Sequence, residues 1–276
     1  ESLSRFATGD VFGWFENRGL KLKIENDQRV FPVSDSSMDV VNCLKEEALK
    51  MQIQINTKNF IRKVSKDSSG LYKVFLNEKD FFISKCLMIS TGGHPSGYKL
   101  AASLGHNIIK TVPSIFSLNT NEYGLSECSG VSVKDVNINL FLNQKKFDMR
   151  GDLLITHRGF SGPGILKLSS IAARELSIAK YQSILTINWF NSNIDELIDK
   201  IDHLRERYGK SNLYNARPLP FITRRLWIFL LSKMKIEKEK KWGNLLVNER
   251  EKMVDLLLAD KYQITGKGPF GEEFVT

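Results

Sequence analysis

The fold is decided by the stretch KCLMISTGG, residues 85–93. Its centre, Leu87 to Ile89, is a short apolar run, and such a run predicts a strand buried on both faces. The run ends in Thr-Gly-Gly, and adjacent glycines let the backbone bend sharply and approach another group closely. Ser96 then predicts the cap of a helix that ends at Gly105. A strand, a glycine turn and a helix in this order are typical of open α/β sheets, which bind ligands at such turns.

The glycine turn belongs to one of five phrases that follow each other along the chain. They are QRVFPVSD (28–35), STGGHPSGYKLAASLGHNI (90–108), SGVSVKDV (129–136), LLITHRGFSGPGILKLSS (153–170) and EEFVT (272–276). In combination they resemble the aminoacetone oxidase-like, NAD(P)/FAD-dependent oxidoreductases, a flavoprotein family. The resemblance runs nearly end to end. It implies a Rossmann-like, three-layer α/β fold of the FAD/NAD(P)-binding type, with an inserted β-barrel domain and a small helical cap.

The patterning of the chain predicts its division into segments. Short alternating strands separated by turns are typical of a barrel, whereas from Ile194 onward apolar residues recur at helical spacing. With the resemblance, this predicts four segments: 1–113, a partial FAD-binding α/β domain; 114–192, the barrel; 193–264, the helical cap; and 265–276, a return towards the FAD-binding domain. The elements predicted within them include helices at 38–51, 169–176, 221–234 and 249–258, and strands at 52–55, 60–64, 71–76 and 81–84.

The resemblance also implies which residues contact FAD. These residues are Thr91, Gly92, Gly93, Ile61, Arg29 and Phe31. The Thr-Gly-Gly turn would form the second dinucleotide contact, the backbone near Ile61 would meet the adenine, and Arg29 and Phe31 would line the flavin site. For the last two, an ordinary surface arginine and a core phenylalanine are equally good interpretations. For Ile61, an ordinary core strand is the favoured alternative.

The two ends of the sequence are abrupt when compared with the family. The family is expected to open with a strand and a GxGxxG phrase, which holds the FAD pyrophosphate at a helix N-terminus, and this sequence does not begin with such a phrase. The EEFVT phrase normally continues into a glycine-rich turn beside the flavin. We therefore expect an internal fragment of a longer protein, and we expect the fragment to bind FAD poorly by itself.

Length and composition exclude several classes of protein. The chain has 276 residues, a formal net charge of +9 and three cysteines. It contains no apolar run of the roughly 20 residues that span a membrane, and no signal peptide. The cysteines form neither a CxxC pair nor a zinc spacing, so we expect no metal site and predict buried free thiols. These features predict a cytoplasmic protein that does not contact a membrane.

Catalytic residues are not identified by the sequence, because a bound flavin would carry most of the chemistry. His157 and Arg158 are the candidates, since they lie in the glycine-dense turn Thr156 to Gly164. A histidine and an arginine there would donate to a substrate carbonyl or take a proton near neutral pH. The alternative, which we favour, is that the glycines make a tight corner and His157 caps it.

The basic stretch 224–252 supports a rival function. It is rich in lysine and arginine, with Trp227 and Trp242 interleaved, so it suggests a nucleic-acid-binding helical patch. A solvated helix face is the favoured interpretation, because lysine alternates with glutamate near Lys238 and because Trp227 is better explained as core. We therefore predict an FAD-dependent oxidoreductase acting on a small-molecule substrate, with NAD(P)H as a further candidate cofactor. The alternatives are a nucleic-acid-binding protein and a flavin-fold scaffold without activity.

Overall fold

The structure is a computed structural model, which describes residues 2–25, 28–142, 144–190, 193–215, 222–268 and 275. The chain folds into two compact units, Glu1–Leu87 and Met88–Thr276. Phe221, where a helix is predicted to begin, and the EEFVT phrase apart from Val275 lie outside the described residues. The predicted segment boundaries at residues 113, 192 and 264 stay predictions.

The first unit contains the helices α1 (Ser2–Arg5), α2 (Thr8–Glu16) and α3 (Ser37–Lys50). The helix predicted at 38–51 is confirmed as α3. Arg18, just after α2, ties these helices together, because its Nη2 donates to the Glu47 carboxylate at 2.9 Å. The same guanidinium lies 3.9 Å from the centre of the Trp14 ring. A charged hydrogen bond and a cation–π contact on one side chain fix the angle between α2 and α3.

Short antiparallel strands make up the rest of this unit. They are β1 (Leu22–Ile24) paired with β2 (Val30–Pro32), and the meander β3 (Lys63–Lys66), β4 (Tyr72–Phe75) and β5 (Phe81–Ser84). The Asp67 carboxylate closes the turn between β3 and β4 by accepting from the amides of Ser69 and Leu71, both at 3.0 Å. The Lys-Asp-Ser-Ser-Gly sequence is typical of such an Asx turn. The predicted meander is confirmed.

The strand predicted at residues 52–55 is wrong. Gln52 has a φ of +55°, in the left-handed region, which an extended strand excludes. The Ile53 amide donates back to the Ala48 carbonyl at 2.8 Å, so it closes the end of α3 instead of entering a ladder. The alternation of polar and apolar residues is present, but the helix end uses the backbone groups that a strand would need.

The strand predicted at Leu87–Ile89 is also wrong for the described residues. No described strand pairs with this run, and Met88 is 83% exposed. A strand buried on both faces depends on hydrogen-bonded neighbouring strands. The apolar run alone was therefore insufficient to predict a strand. The helix after the turn, α4 (Pro95–Ser103), is confirmed. Its cap is His94 and not Ser96, because the His94 Nδ1 accepts from the Ser96 amide at 3.2 Å.

The second unit is built on a closed six-stranded barrel, as predicted. Its strands are β6 (Leu118–Thr120), β7 (Ser132–Leu142), β8 (Lys145–Thr156), β9 (Gly159–Ser161), β10 (Ser183–Asn188) and β11 (Asp260–Lys267). Each pairs antiparallel with its neighbours in the closed order β10-β11-β6-β9-β8-β7. Alternate residues of β7 face the core, and Val136, Ile138 and Leu140 are fully buried, as the period of a strand requires.

Helices cover the barrel and fill the insertion between two of its strands. They are α5 (Pro163–Ile171), α6 (Ala173–Ile178), α7 (Ile194–Tyr208), α8 (Arg224–Lys233) and α9 (Val247–Ala259). The single helix predicted at 169–176 is thus the end of α5 and most of α6. Helices α7 to α9 lie in sequence between β10 and β11, which pair directly. Trp227 and Trp242 are fully buried there and stack with ring centres 6.3 Å apart, so the prediction that Trp227 belongs to the core is confirmed.

The three cysteines differ in burial, which corrects the prediction of buried thiols. Cys128 is buried, Cys43 is half-buried and Cys86 is exposed. Burial raises the pKa of the Cys128 thiol. Because the thiolate is the reactive form, we expect iodoacetamide to alkylate Cys86 in the native protein while Cys128 reacts only after unfolding. Peptide mass spectrometry of a time course measures both rates, and equal rates would contradict this placement of Cys128.

Two features are absent from the residue ranges that the structure describes. No helix within them is both long and apolar enough to cross a membrane. Within the same ranges, no group of three or more His, Cys, Asp or Glu side chains is arranged to hold a metal ion.

Candidate functional site

The turn between β8 and β9 presents His157 and Arg158 at one end of the barrel. The Thr156 hydroxyl closes the turn, since it accepts from the Arg158 amide at 3.3 Å and donates to the Gly159 carbonyl at 3.2 Å. The Arg158 carbonyl accepts from the Thr120 amide at 2.9 Å. The capping role that the sequence suggested for His157 therefore belongs to Thr156.

Gly159 allows this turn to lie directly on strand β6. It has a φ of +147°, and a Cβ built on it would stand 2.2 Å from the Leu118 carbonyl oxygen. A backbone oxygen cannot swing away as a flexible side chain would, so another residue would force the two strands apart. The position of His157 and Arg158 thus depends on a glycine at residue 159.

Two cavities flank the turn. One, of about 510 Å³, is lined by the turn and by Ser117, Asn119, Ser129, Ile155 and Gly268. The other, of about 410 Å³, is lined by the turn and by residues 120–127. In the first of these cavities a hydrogen bond holds a polar wall residue in place, because the Asn119 Nδ2 donates to the Lys267 carbonyl at 2.8 Å. Cavities of this size hold a small organic group or one nucleotide base.

The side chains of His157 and Arg158 are exposed and face these cavities without a hydrogen bond or ion pair to the described residues. Arginine offers five donors in a fixed fork, and imidazole either donates or accepts a proton. The turn therefore presents a hydrogen-bond donor and a group that can exchange protons at the mouth of two cavities. This arrangement suits a substrate with a carbonyl oxygen.

The predicted FAD-contacting turn lies at the start of α4. It is exposed, and Gly92 has a φ of +58° with no atom within 4 Å of a Cβ built on it. In the part of the chain that the structure describes, the amides of Gly92 and Gly93 donate to no acceptor. Unpaired amides beside open space suit a phosphate group. The geometry of Gly92 thus fits contact with FAD, and contact of Thr91 and Gly93 with FAD stays a prediction.

The other predicted FAD contacts lie in the first unit. The Arg29 guanidinium is 5.3 Å from the centre of the Phe31 ring, and Phe31 on β2 is 36% exposed, so it is not the core residue of the alternative interpretation. Ile61 is half-buried just before β3. The structure brings Arg29 together with Phe31, as it does His157 with Arg158. Contact of any of these side chains with FAD stays a prediction.

A buried carboxylate that the sequence did not reveal joins the barrel to α8. Asp260, the first residue of β11, is fully buried. It accepts from the Trp189 Nε1 at 2.9 Å, from the Lys233 Nζ at 2.6 Å and from the Tyr262 hydroxyl. Burial raises the pKa of Asp260, and the neighbouring Lys233 opposes that shift. Burial also raises the pKa of Tyr262 well above its ordinary value, so its hydroxyl keeps the proton that it donates.

Tyr123 is the second residue that the sequence did not single out. Its side chain is 98% exposed, and it lines the cavity of about 410 Å³ beside the turn. The one available signal was a lone aromatic residue in the polar stretch Thr-Asn-Glu-Tyr-Gly. Burial of a tyrosine cannot be judged from such a short stretch, because the stretch has no periodicity.

Two family models match the chain. Residues 1–154 match a model described as the HI0933-like protein Rossmann domain, and residues 112–275 match one described as the HI0933-like protein barrel and H2TH domain. The predicted Rossmann-like class with a barrel is therefore confirmed. The predicted relation to FAD-dependent oxidoreductases is confirmed at the level of the family.

Curated relatives carry two kinds of name. Ribosomal RNA dihydrouridine synthase of Escherichia coli (strain K12) is 28% identical over 180 residues, which cover 61% of this chain and 43% of that protein. The 3-dehydro-bile acid delta(4,6)-reductase of Clostridium scindens is 24% identical over 190 residues, 66% of this chain and 46% of that protein. Ribosomal RNA dihydrouridine synthase of Haemophilus influenzae is 24% identical over 181 residues, 61% of this chain and 44% of that protein. The chain thus spans less than half the length of these relatives.

Proposed function

The chain belongs to the HI0933-like family, and we propose that it is part of an FAD-dependent reductase of carbon–carbon double bonds conjugated to a carbonyl group. The observation that carries the proposal is the chemistry that the two kinds of relative share by name. A dihydrouridine synthase adds two hydrogens to the double bond of a uracil ring, which is conjugated to a ring carbonyl. A 3-dehydro delta(4,6) substrate carries double bonds conjugated to a ketone.

Such a reduction needs a hydride at the carbon farther from the carbonyl and a proton at the nearer carbon. A bound flavin supplies the hydride-type, two-electron chemistry. The amides of Gly92 and Gly93 would hold a phosphate of the cofactor, since both lack acceptors among the described residues and Gly92 lies beside open space. The donor that reduces the flavin is proposed to be NAD(P)H, which the relatives' names do not address.

The turn at His157 and Arg158 is proposed to act on the substrate. Negative charge grows on the carbonyl oxygen as the hydride adds, and the Arg158 guanidinium would stabilise that charge by donating to the oxygen. His157 would deliver the proton to the neighbouring carbon, since imidazole exchanges protons near neutral pH. Both side chains are exposed at the cavity mouth, so a substrate can reach them without a rearrangement of the barrel.

The test is the reoxidation by substrate, in the absence of oxygen, of the chemically reduced, flavin-loaded full-length protein, because the chain is expected to bind FAD poorly by itself. We expect uridine-containing RNA or a conjugated keto-steroid to restore the visible flavin bands. We expect Arg158→Ala to slow this step by about 100-fold, the loss typical of one oxyanion donor, without changing flavin content. Arg150→Ala is the matched control, because Arg150 is an exposed arginine of the same barrel that pairs with Asp135.

Two results would overturn the proposal. Full-length protein that carries no visible flavin bands after reconstitution would favour the alternative of a flavin-fold scaffold without activity. Equal reoxidation rates in Arg158→Ala, Arg150→Ala and the parent protein would remove Arg158 from the reaction.

A further inference from the structure

A basic groove of about 670 Å³ lies between α8, α9 and β11. Four lysines line it: Lys233, Lys235, Lys252 and Lys261. Its carboxylates are Asp255 and Asp260, and Asp260 is buried and already holds Lys233 at 2.6 Å. Lys235, Lys252 and Lys261 are exposed and form no ion pair with the described residues. Three available ammonium groups therefore face one available carboxylate.

The backbone holds Lys235 at the edge of this groove. Lys235 follows the end of α8 with a φ of +60°, and its amide donates to the Ser232 carbonyl at 2.9 Å. The next amide, of Ile236, donates to the Leu231 carbonyl at 3.1 Å. This bonding pattern usually places glycine at the left-handed position, yet here it presents a lysine. The backbone from which the Lys235 side chain extends is thus fixed at the edge of the groove.

An exposed aromatic ring lies next to the groove. Tyr123 is 98% exposed, but both of its neighbours are anchored. The Glu122 carboxylate is 3.3 Å from the Lys233 Nζ, and Gly124 packs against the Phe229 ring. A solvent-facing ring on an anchored stretch of backbone offers a surface on which a base can stack.

The groove adjoins the cavity that contains Tyr123, and the two together make a path to the candidate catalytic turn. The Lys233–Glu122 ion pair connects the groove to the cavity that contains Tyr123. The same cavity is lined by His157 and Arg158. A flexible polyanion lying in the groove would thus pass over Tyr123 and reach the turn.

We propose that this path binds single-stranded RNA, with Lys235, Lys252 and Lys261 contacting phosphates and Tyr123 stacking on a base beside the turn. The choice of RNA as the nucleic acid rests on the proposed function, since a uracil base is the substrate that a polyanion could carry to His157 and Arg158. Cationic grooves joined to aromatic platforms are the general means of binding single strands. Trp227 is fully buried, so it is not available for the nucleic-acid-binding alternative that the sequence offered for residues 224–252.

Binding of a fluorescent 20-nucleotide oligouridylate to the flavin-free chain, followed by anisotropy at two salt concentrations, tests the proposal. Reversal of the three groove lysines to glutamate is expected to weaken binding at least about 100-fold near 0.1 M salt and to lower the salt slope by about two, as the loss of three phosphate contacts requires. Tyr123→Ala is expected to weaken binding about 10-fold or more with the salt slope unchanged.

The matched control reverses Lys134, Lys167 and Lys180, which are exposed lysines elsewhere on the second unit, and alters net charge equally. Equal weakening by both triple reversals, no effect of Tyr123→Ala, or equally tight binding of poly-glutamate would each overturn the proposal. Circular dichroism verifies that every variant is folded. The test needs no cofactor, so if RNA fails to bind while reduced flavin still reduces a conjugated keto-steroid, only this inference fails.

Discussion

Replacing Lys233 by methionine is expected to destabilise the second unit by about 3–5 kcal/mol, because the substitution leaves the Asp260 carboxylate buried without its cation. Asp260 would retain two neutral donors, the Trp189 indole and the Tyr262 hydroxyl. Neutral donors do not offset the loss of hydration of a full charge. Urea unfolding followed by tryptophan fluorescence measures the change, since Trp189 and Trp227 are both buried in this unit.

An exposed ion pair of the same barrel provides the control for this loss. Lys145 contacts the Glu175 carboxylate at 2.8 Å but is 63% exposed, so Lys145→Met is expected to cost about 1 kcal/mol or less. In the double variant Lys233→Met with Asp260→Asn, the uncompensated charge is absent, and we expect part of the lost stability to return. Equal losses for Lys145→Met and Lys233→Met would show that Asp260 does not depend on its partner.

The stability that Lys233→Met loses should also depend on pH. Burial raises the pKa of Asp260, and Lys233 opposes the shift, so its removal raises the folded-state pKa further. A carboxyl group with a raised folded pKa favours the folded state below its unfolded pKa, and this stability disappears as the pH rises through the folded pKa. The difference between Lys233→Met and the parent protein should therefore be smaller in acid than at neutral pH, which urea unfolding at several pH values will show.

The sequence was sufficient to predict a helix or strand where that element carries its own hydrophobic periodicity. Strand β7 alternates apolar and polar residues along most of its length, and α3 repeats its apolar residues at helical spacing, so both were predictable from local periodicity. The prediction of a strand at Leu87–Ile89 was wrong because a buried strand depends on the strands that pair with it. The sequence does not show which segments those are. Strand β11 was not assigned to the barrel because a long helical insertion separates it from β10, its partner.

The candidate site was predictable only in part, for a similar reason. His157 and Arg158 stood out because glycines surround them in sequence. Asp260 and Lys233 lie 27 positions apart, and neither has a distinctive sequence context, so their pairing emerges only from the packing of α8 on β11. The exposure of Tyr123 likewise depends on the anchoring of its neighbours, which involves residues far along the chain.

Substitution of Gly159 by alanine is expected to cost about 3–5 kcal/mol, because two penalties act at one residue. The φ of +147° is strained for any residue with a side chain, and the new methyl group would lie 2.2 Å from the Leu118 carbonyl oxygen. Relief requires β6 and β9 to separate, and that separation would break the Leu118–Phe160 pairing within the closed barrel. Urea unfolding of the second unit measures the cost.

Gly130→Ala distinguishes the two penalties. Gly130 also lines the cavity beside the turn and has a φ of +84°, but a Cβ built there would meet nothing within 4 Å. It carries backbone strain without a clash, so we expect a loss of only about 1–2 kcal/mol. Because β9 follows the turn directly, Gly159→Ala should also slow substrate reoxidation of the flavin under conditions in which the protein remains folded, whereas Gly130→Ala should slow it less. Equal stabilities for the two variants would mean that the barrel can open at β6 and β9 without cost, and the turn would then lack the rigid support on which its proposed role depends.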